Sequence, residues 1–188
     1  DINYFRNIRT GDDGVAYERY IQTVVSGVLD LPVPTVAVIE GYALGGGLLL
    51  ASACDLRLCT TNARFGMPIA RTLGNCISQF GFDLLAQRLG RARVLEMLLT
   101  AELFEAHTGR VGAFVMGVVD QNELEQRLAH LLTRIVKNAP LTLSAAKQAE
   151  RAHRAGHSKA DEFVRACYGS ADFATGVSAF LDGREPVW

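Results

Sequence analysis

The sequence predicts an α/β fold in which a core of strands and helices is followed by a region built from helices alone. Residues 35–39 are continuously apolar and mostly β-branched, as in a strand that is covered on both faces. An apolar helix over 48–53 and a second short strand over 56–59 follow, and this order indicates a parallel pair of strands. Later in the chain the pattern changes to helical periodicity alone. We therefore expect a core domain over residues 1–122 and a helical region over residues 123–188.

The first predicted element is an amphipathic helix between Gly14 and Asp30. Its apolar residues recur at spacings of three and four: Tyr17, Tyr20, Ile21, Val24, Val25 and Val28. Proline cannot continue a helix, so Pro32 and Pro34 end this one, and the first strand begins directly after them.

The stretch from Thr60 to Cys76 combines turn signals with large apolar residues, so we expect a loop that folds onto the core. Two helices should follow, and the first of them stops at Gly90. Their apolar residues are Ile77, Phe80, Leu84, Leu85 and Leu89 in the first helix and Val94, Leu95 and Leu98 in the second. Residues 115–119 form the predicted last strand of the core.

Composition excludes several classes of function. The chain of 188 residues carries a net charge of −1, so it lacks the basic surface that nucleic acid or an anionic membrane would require. No apolar stretch is long enough to span a bilayer, and the first residues lack the pattern of a signal peptide. We therefore expect a soluble, cytoplasmic protein without a nucleic-acid or membrane partner.

Cysteine and histidine do not form a metal-binding pattern. The four cysteines contain no CxxC pair, and we expect free thiols rather than disulfides or metal ligands. His153 and His157 are four residues apart, but Gly156 and the charged residues around them favour a solvated helix end. We expect no bound metal.

The most informative segment is the glycine-rich turn between the first strand and the helix that follows it. Gly45, Gly46 and Gly47 are adjacent, and they precede a helix whose first N–H groups have no acceptor within the helix. These groups lie at the positive end of the helix dipole, and glycines let another molecule approach the backbone closely. The turn is therefore a candidate site for developing negative charge, and a tight turn without a ligand is the alternative.

Four segments in a specific order carry a family resemblance. They are residues 34–47 with 54–57, residues 65–68, residues 98–100 with 118–119, and residues 139–147 with 176–181. Together they resemble the signature, the active-site loop, the last core strand and the helical tail of the enoyl-CoA hydratase/isomerase (crotonase) superfamily. The resemblance runs over nearly the whole chain.

The resemblance implies a crotonase-like spiral of ββα turns, N-terminally incomplete here, and a C-terminal helical region that builds a homotrimer or a dimer of trimers. It also implies a lyase or isomerase of fatty acid metabolism that acts on an acyl-CoA thioester. Coenzyme A then enters as part of the substrate, and no other cofactor is needed. By position, the N–H of Gly46 is one donor of the oxyanion hole that holds the thioester oxygen. The residues that line the acyl pocket are then Leu44, Gly45, Leu49, Pro68, Ile69 and Arg71.

Two departures from the family limit what the resemblance implies. Asp1-Ile2 resembles the end of a family motif whose preceding residue supplies the second oxyanion donor, so we expect that upstream residues are absent from this sequence. The family's hydratases use two glutamates, and the corresponding positions here are Leu49 and Ile69. Water addition needs one group that activates water and one that delivers a proton, and neither side chain can do this.

The expected function is that of an acyl-CoA-binding protein that stabilises a thioester enolate but lacks both hydratase glutamates. The alternative is a non-catalytic acyl-CoA-binding or assembly subunit of the same fold. Arg71 either orients an acyl carboxylate or carbonyl, or forms a salt bridge at a solvent or subunit surface. Thr72, Asn75 and Cys76 are the other polar candidates in the loop. Glu40 is expected to hydrogen-bond structure at a strand end.

Overall fold

A computed structural model describes residues 2–154, 156 and 160–188 of the chain. Asp1 and His157, which entered the predictions above, lie outside the described residues. Within these ranges no helix combines the length and the apolar composition that a membrane span requires. Nor do three or more His, Cys, Asp or Glu side chains gather in this part of the chain as metal ligands would.

The chain divides into two compact units. The first takes the residues up to Leu29 together with Thr35–Leu124, and the second takes Asp30–Pro34 together with Glu125–Trp188. The domain boundary at residue 122 stays a prediction, because compactness does not by itself show independent folding.

The first unit contains both strands and helices. Its described strands are β1 (Val36–Ile39), β2 (Tyr42–Leu44), β3 (Leu56–Thr60), β4 (Arg64–Gly66), β5 (Phe104–Glu105) and β6 (Gly117–Val119). Its described α-helices are α1 (Gly11–Leu29), α2 (Gly46–Ala53), α3 (Ile69–Thr72), α4 (Gln79–Leu89) and α5 (Arg91–Thr100). Short 3-10 turns cover Ile2–Asn7, Ala106–Thr108, Gly112–Phe114 and Gln121–Glu123. The predictions of α1, α2, α4, α5, β1, β3 and β6 are confirmed.

The strands form two three-stranded sheets. The first has the order β1-β3-β6 and is parallel throughout, with Val38 opposite Leu58 and Cys59 opposite Val118. The predicted parallel pair is therefore confirmed. The second has the order β2-β4-β5, in which β4 runs parallel to β2 and antiparallel to β5. Sequence periodicity missed this sheet because its strands have only two or three residues, too few to show alternation.

Gly41 lets the chain step from the first sheet into the second. Its φ of 88° lies in the left-handed region that favours glycine. The carbonyl of Gly41 accepts a hydrogen bond from the N–H of Arg64 at 2.7 Å, next to the β2–β4 pair. Consecutive strands β1 and β2 thus belong to different sheets, and the glycine turn follows β2 rather than β1.

The core of the first unit contains three fully buried phenylalanines. Phe65 and Phe114 pack edge to face with ring centroids 5.6 Å apart, and Phe104 lies opposite Phe65 in the β4–β5 pair. Phe65 belongs to the stretch predicted as a loop folded onto the core, and Met67 in the same stretch is also buried. The burial is confirmed, but the stretch also contains β4 and the single turn of α3.

The helix α2 is buried along most of its length. Its buried residues are Leu48, Leu49, Ala51, Ser52 and Ala53. The hydroxyl of Ser52 donates to the carbonyl of Leu48 at 2.7 Å, so the buried polar side chain is satisfied within the helix. Since α1, α4 and β2 all pack against α2, its first turn stands on a rigid support.

The polar residues of the segment 54–57 make hydrogen bonds that stabilise the fold. A carboxylate oxygen of Asp55 accepts hydrogen bonds from the N–H and the hydroxyl of Thr35, at 2.7 and 2.8 Å. These bonds join the segment before β1 to the segment before β3. Arg57 is buried, and its guanidinium donates to the carbonyls of Cys54 at 2.5 Å and of Phe114. The arginine therefore satisfies the carbonyl of Cys54, directly after α2, and the distant carbonyl of Phe114.

The later helices confirm the predicted all-helical region. They are α6 (Leu124–Val136), α7 (Pro140–Arg154), α8 (Ala160–Tyr168) and α9 (Ala171–Leu181). Within the second unit α7 packs on α8. The ammonium of Lys147 donates to the carbonyl of Val33 at 2.9 Å, and Arg151 pairs with Asp30 at 3.1 Å. These two contacts attach the short segment Asp30–Pro34 to the helices.

Candidate functional site

A cavity of about 260 Å³ lies beside the first turn of α2. It is bounded by residues of α1, β2, α2 and the segment 67–77. Six of the seven predicted site residues line it: Leu44, Gly45, Gly46, Leu49, Pro68 and Ile69. The structure thus brings them together, while the roles assigned to them stay predictions.

Gly45 shapes the glycine turn, and Gly46 presents a backbone donor. Gly45 has φ 53° and ψ −120°, a conformation that residues with a side chain rarely adopt. Its N–H donates to the carbonyl of Gly66 at 3.0 Å, so this donor is already used. Gly46 is the first residue of α2, and its N–H has no hydrogen-bond acceptor within the described part of the chain. Gly46 therefore supplies an unused donor at the cavity wall.

The space in front of Gly46 is open. A Cβ added to Gly46 would meet no atom of the surrounding structure within 4 Å. Packing within the chain therefore does not require glycine at this position. The absence of a side chain leaves room for another molecule to approach the backbone at the positive end of α2.

The wall of the cavity is largely apolar. Leu49 is buried and Ile69 is half-buried on the side formed by α2 and α3. Ile21 of α1 and Phe5 of the first 3-10 turn face the same space. Sequence reasoning missed these two because both lie far from the glycine turn along the chain. A cavity of this composition suits an acyl chain better than a charged ligand.

Arg71 is not among the described residues that line this cavity, and its role in substrate binding stays a prediction. Its guanidinium instead donates to the carbonyl of Ala101 at 2.8 Å, directly after the end of α5. The physical reason is helical geometry. Arg71 follows Ile69 by two positions in the single turn of α3, and residues two apart point to different sides of a helix.

Glu18 is a polar residue of the cavity that sequence reasoning missed. It lies on α1, is half-buried, and accepts a hydrogen bond from the N–H of Ser78 at 3.2 Å. Burial, and then the negative charge of Glu18, raise the pKa of the neighbouring Tyr17 above its usual range. The sequence contains one indication that Glu18 reaches this space. The residue lies between Tyr17 and Ile21, at the edge of the apolar face of the first predicted helix.

The remaining polar candidates separate into two groups. Thr72, Asn75 and Cys76 line the cavity. The hydroxyl of Thr72 donates to the carbonyl of Pro68 at 2.9 Å, so this side chain makes a local hydrogen bond within the loop. Glu40 lies outside this cavity and accepts a hydrogen bond from the side chain of Gln121, as expected for a residue that supports a strand end.

Comparisons with known proteins point to one family. The family described as Enoyl-CoA hydratase/isomerase matches residues 7–188 of the chain. Carnitinyl-CoA dehydratases from Citrobacter koseri and Salmonella typhimurium are each 34% identical to the chain over 170 residues. Each match covers 86% of this chain and 65% of the relative, so the chain spans about 65% of the length of these relatives.

Solved structures agree in fold. An enoyl-CoA hydratase/carnithine racemase from Magnetospirillum magneticum matches with a TM-score of 0.90 at 28% identity, covering 100% of this chain and 72% of that one. An enoyl-CoA hydratase/isomerase family protein from Hyphomonas neptunium matches with a TM-score of 0.91 at 25% identity, covering 100% and 73%. The predicted fold class is therefore confirmed.

Proposed function

The chain belongs to the enoyl-CoA hydratase/isomerase family, and on that premise we propose that it binds an acyl-CoA thioester in the cavity beside α2. The thioester oxygen accepts a hydrogen bond from the N–H of Gly46. The acyl chain lies against the apolar wall that includes Leu44, Leu49 and Ile69. Coenzyme A is part of the substrate, and the reaction belongs to the lyase or isomerase class.

The observation that carries this proposal is the unused N–H of Gly46 at the cavity wall. When a proton leaves the α-carbon of a thioester, the electron pair passes to the carbonyl oxygen, which becomes negatively charged. A backbone donor at the start of α2 stabilises this charge because the donor and the helix dipole are already oriented. The hydrogen bond strengthens as the charge develops, so it favours the transition state over the bound substrate.

We also propose that the cavity lacks the glutamate pair of a hydratase. Leu49 and Ile69 stand at the positions that the family resemblance gives to the two glutamates, and both line the cavity. Neither side chain accepts or donates a proton. These two positions therefore supply neither a base that activates water nor an acid that protonates the α-carbon.

Crotonyl-CoA should bind to the protein without being hydrated at a hydratase-like rate. The loss of one general acid–base group typically costs about 10²- to 10⁴-fold in rate, and two such groups are missing. Calorimetric titration with crotonyl-CoA measures binding, and the change in absorbance of its conjugated double bond measures hydration. Hydration at an ordinary enzymatic rate would contradict the proposed loss of the pair. Absence of binding in the same preparation would instead contradict the proposed acyl-CoA site.

We propose further that the helical unit associates with copies of itself into a homotrimer or a dimer of trimers. Support comes from three large apolar side chains at its C-terminal end. Phe180, Leu181 and Val187 are 86%, 78% and 84% exposed within the single chain. Apolar surface of this extent favours a partner that removes it from water.

Sedimentation velocity should therefore give a mass three or six times the 20.4 kDa of one chain. The double substitution Phe180→Ser and Leu181→Ser should shift the protein toward smaller species, since it removes apolar area from the proposed contact. Leu99→Ser is the matched control, because Leu99 is 80% exposed on α5 of the first unit. A native protein that sediments only as the monomer would refute the assembly.

A further inference from the structure

The cavity contains a carboxylate that the proposed oxyanion contact does not use. Among the described residues that line the cavity, Glu18 is the only Asp or Glu, and no Lys, Arg or His lines it. Gly46 lies on the wall formed by α2, whereas Glu18 belongs to α1, which packs directly on α2. A base and an oxyanion donor thus reach one small, largely apolar space from two different helices.

A hydrogen bond from the backbone holds the Glu18 side chain in place. One carboxylate oxygen, Oε2, accepts the hydrogen bond from the N–H of Ser78. Ser78 is itself fixed as the N-cap of α4, where its hydroxyl accepts from the N–H of Gly81 at 3.4 Å. The second oxygen, Oε1, makes no hydrogen bond to the described residues. The carboxylate is therefore anchored through one oxygen, and the other can meet a ligand.

We propose that Glu18 is the catalytic acid–base of this cavity, moving a proton at the α-carbon of the bound acyl-CoA. This inference rests on the proposed acyl-CoA site. The Glu18 carboxylate takes a proton from the α-carbon, the C–H electron pair forms a carbon–carbon double bond, and the carbonyl pair moves onto the thioester oxygen beside Gly46. The carboxyl group then returns the proton to the same carbon or, in an unsaturated chain, to the γ-carbon. No other reactant is consumed.

A single carboxylate fits proton transfer better than water addition. Hydration needs one group to activate water and another to protonate the α-carbon, whereas transfer along the acyl chain needs one group that takes a proton and gives it back. With Leu49 and Ile69 at the two expected glutamate positions, Glu18 has no second carboxylate partner among the described lining residues. The inferred chemistry is thus exchange or relocation of an α-proton.

Glu18 also ties α1 to the segment before α4, so the experiment must separate a structural role from a chemical one. Glu18→Gln does this, because the amide oxygen of glutamine still accepts the hydrogen bond from Ser78 but cannot take the α-proton. Glu18→Asp is the conservative variant that keeps the carboxylate. Glu125→Gln on α6 is the control, since it removes the same charge from an exposed position.

The measurement is deuterium incorporation into butyryl-CoA incubated in D₂O with the full chain, followed by mass spectrometry. We expect Glu18→Gln to slow the exchange by about 100-fold or more, while calorimetric affinity for butyryl-CoA changes by less than about twofold. Glu18→Asp should retain part of the rate, and Glu125→Gln should retain all of it.

Three outcomes separate this inference from the proposed function. Native exchange that persists in Glu18→Gln, or butyryl-CoA binding without any exchange by the native protein, would overturn the role of Glu18 and leave the binding site standing. Failure of the native protein to bind butyryl-CoA would overturn the acyl-CoA site, and the role of Glu18 with it.

Discussion

Replacing Gly46 with proline should slow α-proton exchange of butyryl-CoA by about 100- to 1,000-fold, the usual cost of losing one oxyanion donor. Proline removes the backbone N–H that carries the proposed contact. The rest of the turn should tolerate it, because proline fits the first position of a helix, where its N–H is not needed for helical bonding. The space around an added Cβ is also open.

Gly46→Ala is the control for this experiment. It adds a Cβ in the same open space but keeps the N–H, so we expect a much smaller loss than with proline. Deuterium incorporation measures the rate for both variants, and circular dichroism checks that both are folded. If the proline variant exchanged protons as fast as the native protein, the thioester oxygen would have to be held by another group.

Arg57→Met should destabilise the protein by about 3 kcal/mol or more in urea unfolding. The guanidinium donates to the carbonyls of Cys54 and Phe114, and it lies 4.9 Å from the centroid of the Phe114 ring. Methionine keeps the length of the side chain but donates to neither carbonyl. The loss leaves buried acceptors without partners, and each such group costs about 1–3 kcal/mol.

Arg64→Met is the matched comparison. Arg64 is 45% exposed and pairs with Glu105 at 2.9 Å on the surface, so its loss should cost at most about 1 kcal/mol. The measured quantity is the free energy of unfolding from urea titrations followed by circular dichroism. If the two substitutions lowered the free energy of unfolding equally, the buried hydrogen bonds of Arg57 would not make a special contribution to stability.

The fold was predictable from sequence where elements were long enough to show a period. The strands β1 and β3 of the parallel pair have four and five residues that are mostly apolar, and the last third of the chain has a mainly helical pattern. The second sheet was not predictable, because β2, β4 and β5 have two or three residues each. Such strands depend on pairing between distant segments, which periodicity does not report.

The residues of the candidate site were likewise predictable from the sequence only where they lie close together along the chain. The six predicted residues that line the cavity lie in two short segments, the turn around Gly46 and the loop around Pro68, so neighbouring residues in sequence stay neighbours in space. Among the lining residues that were missed, Phe5, Glu18 and Ile21 lie in a different part of the chain. The packing of α1 on α2 brings Glu18 and Ile21 to the cavity.

The sequence by itself determined the glycine turn, the helix that follows it and the apolar residues at positions 49 and 69. These features are local, and local sequence sets backbone conformation and side-chain character directly. Tertiary structure alone decided which groups share the cavity. It engages the N–H of Gly45 with Gly66, turns Arg71 toward α5, and brings Glu18 to the same cavity as Gly46. Each of these outcomes depends on contacts between segments that are distant in the chain, because only packing fixes where one element lies against another.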